Sequence, residues 1–461
     1  MIFADYTFPM KNSHHRPFEH QKKSVAFLIK NKRAYDLSEM RTGKTLSSLW
    51  ASDFLFHNNV IRKVLIISPL STVRLVWSHN IFTNFPHRKF SIAHGTKEKR
   101  VKAIQSNAHY IIINHDGIKT CHEELLAQNF DIIIIDELTA FKNAQSDRSK
   151  IMIKLANAAR AVWGLTGSPT PNSPTEAFGE AKVVNPTNPF LPKYFTRFKQ
   201  MVEYEVAPYT WVPRPEAKQI VHQVLQPSIR HIRDECFDIP PMMHKEVGIE
   251  MSQQQNSEYK KMQKELYLQY EAGEITAVNA AVKLTKLLQI SAGAVKDNEG
   301  KIYFLDDTPK LNYILELFEE TGRSKLVVVS AFRASVDHLY NRLKEKGIKC
   351  NYIYGKMSLN ERTAIINDFQ SGELQILVVQ PQAVSHGICL DATNIIVWHS
   401  LIASGEIYSQ MIDRIVSASQ KKKQYCEYLL GSKADRHMFN ILRKKSDLSS
   451  EILKLFNDKS L

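Results

Sequence analysis

The sequence predicts an α/β protein with two parallel-sheet lobes in tandem and a largely helical segment between them. Three observations carry this reading. Short apolar runs rich in Ile and Val recur in the first half, at Val64–Ile67, Tyr110–Ile113, Ile132–Ile135 and Ala161–Leu165. They return in the second half at Leu326–Val329, Ile376–Val379 and Ile395–Trp398. Such runs suit strands buried on both faces of a parallel sheet. In the first half each run ends in polar residues, and open α/β sheets place their ligands at that end of the strands. Between the two sets, from Pro171 to about Gly293, prolines and helical spacing replace the strand rhythm. The expected domains are a first lobe over 1–170, a helical segment over 171–300, a second lobe over 301–430 and a helical tail over 431–461.

With 461 residues, 43% hydrophobic and 23% charged, the chain can bury more than one core. Its net charge of +14 points to a polyanionic partner, nucleic acid first. The five cysteines, Cys121, Cys236, Cys350, Cys389 and Cys426, are scattered and form no Cys-x-x-Cys pair. Neither a disulfide framework nor a zinc site is supported. Met1 to Lys11 lacks a signal-peptide core and no apolar run approaches a membrane span. A reduced, cytoplasmic protein is expected, monomeric or loosely oligomeric.

In chain order, Phe18-Glu19-His20-Gln21 opens an amphipathic helix carrying Val25, Leu28 and Ile29. A glutamine before a phosphate loop can read adenine, since its amide both donates and accepts; the plain alternative is a solvated helix-start residue. Next, Gly43-Lys44-Thr45 stands before an apolar helical run from Leu46 to about Phe56. Glycine lets backbone N–H groups close around phosphates, lysine reaches the β/γ oxygens, and the threonine hydroxyl can ligate Mg²⁺. Met40, Arg41, Thr42, Gly43, Lys44 and Thr45 are therefore the candidate cradle. The upstream glycine of the full pattern is missing, so the match is partial. About ninety residues on, the run Asp131–Glu137 ends a buried strand in two carboxylates. Asp136 can hold Mg²⁺ through water, and Glu137 can orient and deprotonate an attacking water. The plain alternative is a pair of carboxylates capping a strand.

In the middle, Tyr259, Met262, Leu266 and Tyr270 fall at helical spacing, as do Leu284, Leu287 and Leu288. Lys193, Tyr194, Arg197 and Lys199 interleave cations with an aromatic ring, either to track DNA or as a solvated face. The second half shows no second phosphate loop, which fits one ATP held between two similar lobes. A strand over Tyr425–Leu430 and a basic amphipathic helix complete the chain.

These blocks, in this order, resemble the superfamily 2 helicases and, within them, the Swi/Snf-type DNA translocases. Glu39-Met40-x-x-Gly43-Lys44-Thr45 looks like their first motif, and Ser68-Pro69-Leu70 with Trp77 like the next. Asp136-Glu137 with Lys142-Asn143 looks like the second, and Leu165-Thr166-Gly167-Ser168-Pro169-x-x-Asn172 like the third. Ser385-His386-Gly387-Ile388-Cys389-Leu390 resembles the fifth, and Gln410-x-x-Asp413-Arg414 through Gln420 the sixth. The resemblance covers roughly residues 15 to 425.

It implies two RecA-like lobes with a helical insertion, and a DNA-stimulated ATPase using ATP and Mg²⁺. It places Gly387 and Arg414 beside the nucleotide, Arg414 as the arginine of the second lobe that reaches the γ-phosphate. It also implies that Thr166 and Ser168 couple the nucleotide to the nucleic-acid grip. Ser68, Thr72, His115, Lys142, Asn143, Ser330, Ser385 and His386 would lie near the nucleic-acid backbone. The chain departs from the pattern in four places: Arg41 for a glycine, Leu138-Thr139 for Ala-His, Ser385-His386 for glycines, and Ser417 for a second arginine. The last leaves three readings: Arg414 suffices, Lys421 or Lys422 substitutes, or turnover is weakened. The function expected is an ATP-dependent helicase or translocase acting on duplex or branched DNA, by fork regression or branch migration in replication or recombination. A compact phage or bacterial member fits the size. The rivals are an annealing protein with a weakened ATPase, and an RNA helicase.

Overall fold

The computed structural model describes residues 3, 6–11, 16–208, 210–237, 240–271, 277–297, 299–384, 390–416 and 422–454. The chain divides into two compact units, Met1–Asp238 with Asp447–Leu461, and Ile239–Ser446.

In the first unit helix α1 (Glu19–Lys30) leads into strand β1 (Arg33–Asp36) and helix α2 (Lys44–His57). The strands β2 (Val64–Ser68), β3 (Phe90–Ala93), β4 (Tyr110–Asn114), β5 (Ile132–Asp136) and β6 (Ala161–Leu165) follow. They form one parallel sheet in the order β3-β4-β2-β5-β6-β1. Successive side chains of a strand point to opposite faces, and the core obeys this. Leu65, Ile67, Ile111, Ile113, Ile133 and Ile135 pack on one side of the sheet. Val64, Ile66, Ile112, Ile132 and Ile134 pack on the other. Both sets are buried, and each such side chain stabilises the unit by about 2 kcal/mol.

The helices α3 (Ala177–Val184), α4 (Phe195–Val202) and α5 (Ala217–Val224) belong to the same unit. Phe178, Phe198, Val202, Val221 and Val224 join the core on the first of those sides. The hairpin of β7 (Glu203–Ala207) and β8 (Thr210–Pro213) lies between α4 and α5, and β9 (Ser228–Ile229) pairs with β1 as a seventh strand.

In the second unit β10 (Met242–Gly248) precedes two helices, α6 (Gln253–Glu271) and α7 (Ala277–Ser291). After the hairpin of β11 (Ala294–Lys296) and β12 (Ile302–Phe304) come β13 (Leu326–Val329), β14 (Cys350–Ile353), β15 (Ile376–Val379) and β16 (Ile395–Trp398). Helix α8 (Gly405–Ile412), β17 (Gln424–Leu430) and helix α9 (Lys433–Lys454) end the described chain. This sheet is also parallel, in the order β10-β17-β16-β13-β15-β14. Leu326, Val328, Ile376, Val378, Ile395 and Val397 pack against Leu311, Ile314, Val336 and Leu339 of the covering helices. Two parallel α/β lobes are thus present, as expected of tandem RecA-like units. Among the described residues no helix is long and apolar enough to cross a membrane.

The two compact units part between Asp238 and Ile239, inside the segment expected to be largely helical. Residues 171–237 pack into the first core and supply β9, while β10 adds to the second sheet by pairing along β17. Among the described residues the pair α6–α7 has the character of a helical insertion. The physical reason is that β9 and β10 are peripheral strands, with little apolar alternation of their own to mark them.

A close approach in the first unit yields a prediction. A methyl group added at Gly179 of α3 would land within the backbone of Phe141–Lys142, the segment that follows the two carboxylates. Backbone cannot step aside as a flexible side chain can, so Gly179→Ala is expected to destabilise the protein by about 1–3 kcal/mol despite alanine's better helix propensity. A urea midpoint unchanged from wild type would contradict it.

Candidate functional site

Parallel pairing brings the candidate residues of the first unit to one edge. Asp36 is in register with Leu165, and Leu165 with Asp136. On the other flank Ser68 is in register with Asn114. The chain leaves every one of these strands at the same level. The phosphate loop, the carboxylates, His115 and the Thr166–Ser168 turn therefore lie along the carboxyl ends of one sheet.

Gly43 adopts a φ of +92°, which glycine tolerates without strain, and precedes the first turn of α2. A Cβ there would collide with the Gln21 amide, so the loop and α1 are fitted to each other. Lys44 Nζ donates to the carbonyls of Ser38 (2.6 Å) and Glu39 (3.0 Å). The buried Thr42 bonds its hydroxyl to the Glu39 carbonyl at 2.8 Å. Arg41, standing where the resemblance expects glycine, has a φ of +67°. That left-handed geometry explains why glycine suits the position; an arginine holds it at a cost of about 1–2 kcal/mol. Gln21 is buried, accepting from Phe18 N (3.0 Å) and donating to Thr42 O (3.4 Å). Its amide thus ties the start of α1 to the phosphate loop, a role the adenine reading did not include. A hollow of about 1230 Å³ opens beside it, lined among others by Phe18, His20, Arg230 and His231.

The segment after β9 braces the loop from below. Arg230 donates to Leu37 O (2.7 Å) and pairs with Glu39 Oε1 (2.9 Å), while Arg233 N donates to Glu39 Oε2 (3.0 Å). Burial pulls the Arg230 guanidinium below its ordinary pKa, and the Glu39 charge pulls it back up. Glu39 in turn donates its N–H to His231 O (3.0 Å). Nothing in the sequence assigns Arg230 and Arg233 a role; only the pairing of β9 with β1 brings them here.

At the end of β5, Trp77 Nε1–H donates to Asp136 Oδ2 at 2.8 Å, and His115 Nε2–H donates to the Asp136 carbonyl at 2.8 Å. Glu137 has a φ of +52°, an uncommon geometry for a residue with a side chain, and opens the short turn Leu138–Phe141. Thr166 Oγ1 accepts from Ser168 N (3.3 Å), and Gly167 lies against Met40 of the phosphate loop. Lys142 pairs with Glu176 (2.9 Å), and exposed Asn143 accepts from Gln145 N (3.0 Å).

Five of the residues expected at the nucleic acid lie inside the fold. Ser68, Thr72, His115, Thr166 and Ser330 are buried. The Thr72 hydroxyl donates to Pro69 O (3.0 Å), and the Ser330 hydroxyl is bonded to that of Ser400 (3.0 Å). Their polar atoms are bonded within the fold, so each side chain is set by the residues around it. The residues with accessible surface are Lys142, Asn143 and Ser168. In the second unit Arg414 is 6% exposed, just after α8, and its Nε–H donates to Gln410 O (2.9 Å). Ser385, His386, Gly387 and Ser417 lie outside the described residues.

The oxygen donors of Thr45 and Asp136 suit a hard divalent cation, with the Trp77 N–H fixing the carboxylate. Among the described residues no group of three or more His, Cys, Asp or Glu side chains is arranged to hold a metal. That donor set fits Mg²⁺, which takes one or two protein oxygens and completes its shell with phosphates and water.

The SNF2-related domain matches residues 20–297, and the helicase conserved C-terminal domain matches residues 309–419. The chain belongs to the SNF2-related family and is a superfamily 2 ATP hydrolase. It is 25% identical over 430 residues to putative protein p41 of Acyrthosiphon pisum secondary endosymbiont phage 1, covering 88% of this chain and 89% of that one. It is 23% identical over 449 residues to the SWI/SNF-related matrix-associated actin-dependent regulator of chromatin subfamily A-like protein 1 of Xenopus laevis, covering 92% of this chain but 43% of that protein. It therefore spans less than half of that relative's length. The Sulfolobus solfataricus SWI2/SNF2 ATPase core in complex with dsDNA aligns over 97% of this chain and 95% of its own, at 20% identity and a TM-score of 0.46.

The Trp77 N–H holds the Asp136 carboxylate in place, and if Asp136 serves ATP hydrolysis Trp77 is a positioning residue for it. A hydrogen bond to a charged group is worth about 1.5–3 kcal/mol, so Trp77→Phe should lower kcat for ATP hydrolysis roughly tenfold. The KM for ATP should move far less, because the ring still packs; equal losses in both would refute the assignment.

Proposed function

We propose that this chain is an ATP-driven motor that moves along and remodels duplex or branched DNA, by fork regression or branch migration. The observation that carries the reading is the alignment of phosphate loop and carboxylates on one sheet edge within an SNF2-related chain. In this reading Lys44 exchanges the carbonyls of Ser38 and Glu39 for the β/γ oxygens of ATP. Thr45 and Asp136 would hold Mg²⁺, whose charge would offset that building on the phosphates. Glu137 accepts the proton of the attacking water, and Arg414 supplies the arginine to the γ-phosphate. Such an arginine is worth about 10³–10⁵ in rate. Lys142, Asn143 and Ser168 carry nucleic-acid contacts on the first unit, with Ser385 and His386 proposed on the second. Contacts to the phosphate backbone make binding sequence-independent and strongly salt-dependent.

The Xenopus laevis relative is named as a regulator of chromatin, which supports DNA rather than RNA as the track. The phage relative supports action in a bacterial host cytoplasm.

Phosphate release measured in parallel with single-stranded, duplex, forked and four-way DNA tests the proposal. Wild type should be stimulated most by duplex or branched DNA, and Lys44→Ala or Glu137→Gln should lose at least a hundredfold of that rate. No release from wild type would favour the annealing protein. Stronger stimulation by duplex RNA would replace the DNA track.

A further inference from the structure

We propose that the exposed face carrying Phe190, Tyr194, Lys182, Lys193 and Arg197 binds an unpaired DNA strand. This rests on the motor reading above and adds a second DNA contact to it. Phe190 is 51% exposed and Tyr194 is 62% exposed, although apolar cores lie close by. The exposure is built into the loop. Buried Asn188 donates to Gln223 O (2.9 Å) and Val224 O (3.2 Å) and accepts from Phe190 N (2.9 Å). Leu191 is buried beside it, so the backbone is fixed while the neighbouring ring is turned to solvent. Helix α4 buries Phe198 and Val202 and leaves Thr196 and Arg197 on its open side.

Phe190 and Tyr194 both line a hollow of about 460 Å³, together with Pro192, Lys193 and Arg197. That size lies in the range of pockets that take small molecules or single nucleotides. Between Glu180 and Glu203 the chain carries Lys182, Lys193, Arg197 and Lys199 and no carboxylate. Lys193 Nζ stands 5.3 Å from the Tyr194 ring centre. Burial first, and the like charge of Lys193 second, hold the Lys182 ammonium below its usual range. Among the described residues Lys182, Lys193 and Arg197 form no ion pair with a carboxylate. Lys193 and Arg197, beside the open rings of Phe190 and Tyr194, match the two parts of an unpaired strand, phosphates and unstacked bases, while Lys182 over the buried Phe178 ring adds charge nearby. A duplex offers its phosphates but keeps its bases stacked, so it has no use for the rings.

The test compares the full chain binding a blunt duplex with the same duplex carrying an unpaired oligothymidine tail, by fluorescence anisotropy at fixed salt. The tail should tighten wild-type binding roughly tenfold, the worth of a stacked base or two. Tyr194→Ala and Arg197→Gln should each cancel most of that gain, and Tyr194→Phe should keep it. Blunt-duplex affinity and duplex-stimulated ATP hydrolysis should stay within about twofold, since both side chains project from the surface. A tail gain that survives both substitutions overturns the proposal, as does a parallel loss for blunt and tailed DNA. Binding to phosphatidylserine vesicles that the same substitutions abolish would reassign the face to a membrane. If duplex stimulates hydrolysis but the tail adds nothing, this proposal alone fails; if no DNA binds, the motor reading fails with it.

Discussion

Parallel register is the constraint on which the first unit depends. When strands run the same way and are paired level with one another, their carboxyl ends must finish in a row. Asp36, Leu165 and Asp136 occupy such a row across β1, β6 and β5. Chemistry scattered over a hundred residues of sequence is gathered there without any long-range side-chain recognition. The Ile and Val runs bury both faces of the sheet and so keep these strands in its middle.

The phosphate loop adds a second layer of restraint. Its lysine, threonine and glutamate are all bonded within the chain, and the Glu39–Arg230 pair joins it to a strand almost two hundred residues later. A partly buried ion pair contributes little to stability on balance. Its effect here is geometric: removing Glu39 would take the carboxylate from the buried Arg230 guanidinium at the base of the loop. The positive φ values of Arg41 and Glu137 show that the same region holds backbone away from its preferred conformations. Such outliers persist where surrounding contacts over-determine them; Arg41 lies in the candidate cradle and Glu137 directly follows Asp136.

Much of this is legible in the sequence, for reasons that can be named. The central strands stand out because Ile132–Ile135 and Val64–Ile67 must be apolar on both faces. Strand β1 does not: only Ala34 and Tyr35 separate Arg33 from Asp36, and its burial comes from neighbours supplied by β6 and β9. The rule that a strand precedes a phosphate loop is the signal that could have found it. Motif spacing locates Lys44, Asp136 and Glu137, but spacing cannot say what a side chain touches. Hence Ser68, Thr72, His115 and Ser330, expected near the nucleic-acid backbone, and Thr166, expected to couple it to the nucleotide, are seen as buried residues only in the structure. Trp77 is a motif residue in the sequence, and its bond to Asp136 becomes visible only in three dimensions. The segment over 171–237 misleads for a related reason, since prolines hide how thoroughly its helices are absorbed into the first core.

The contact at Gly179 has a wider consequence. Where a helix and the turn after the two carboxylates touch backbone to backbone, no side chain cushions the joint, and neither piece can shift without carrying the other. Helix α3 is thereby geared to the turn that follows Glu137, with no play between the teeth. A single hydrogen atom in place of a side chain makes that mesh possible.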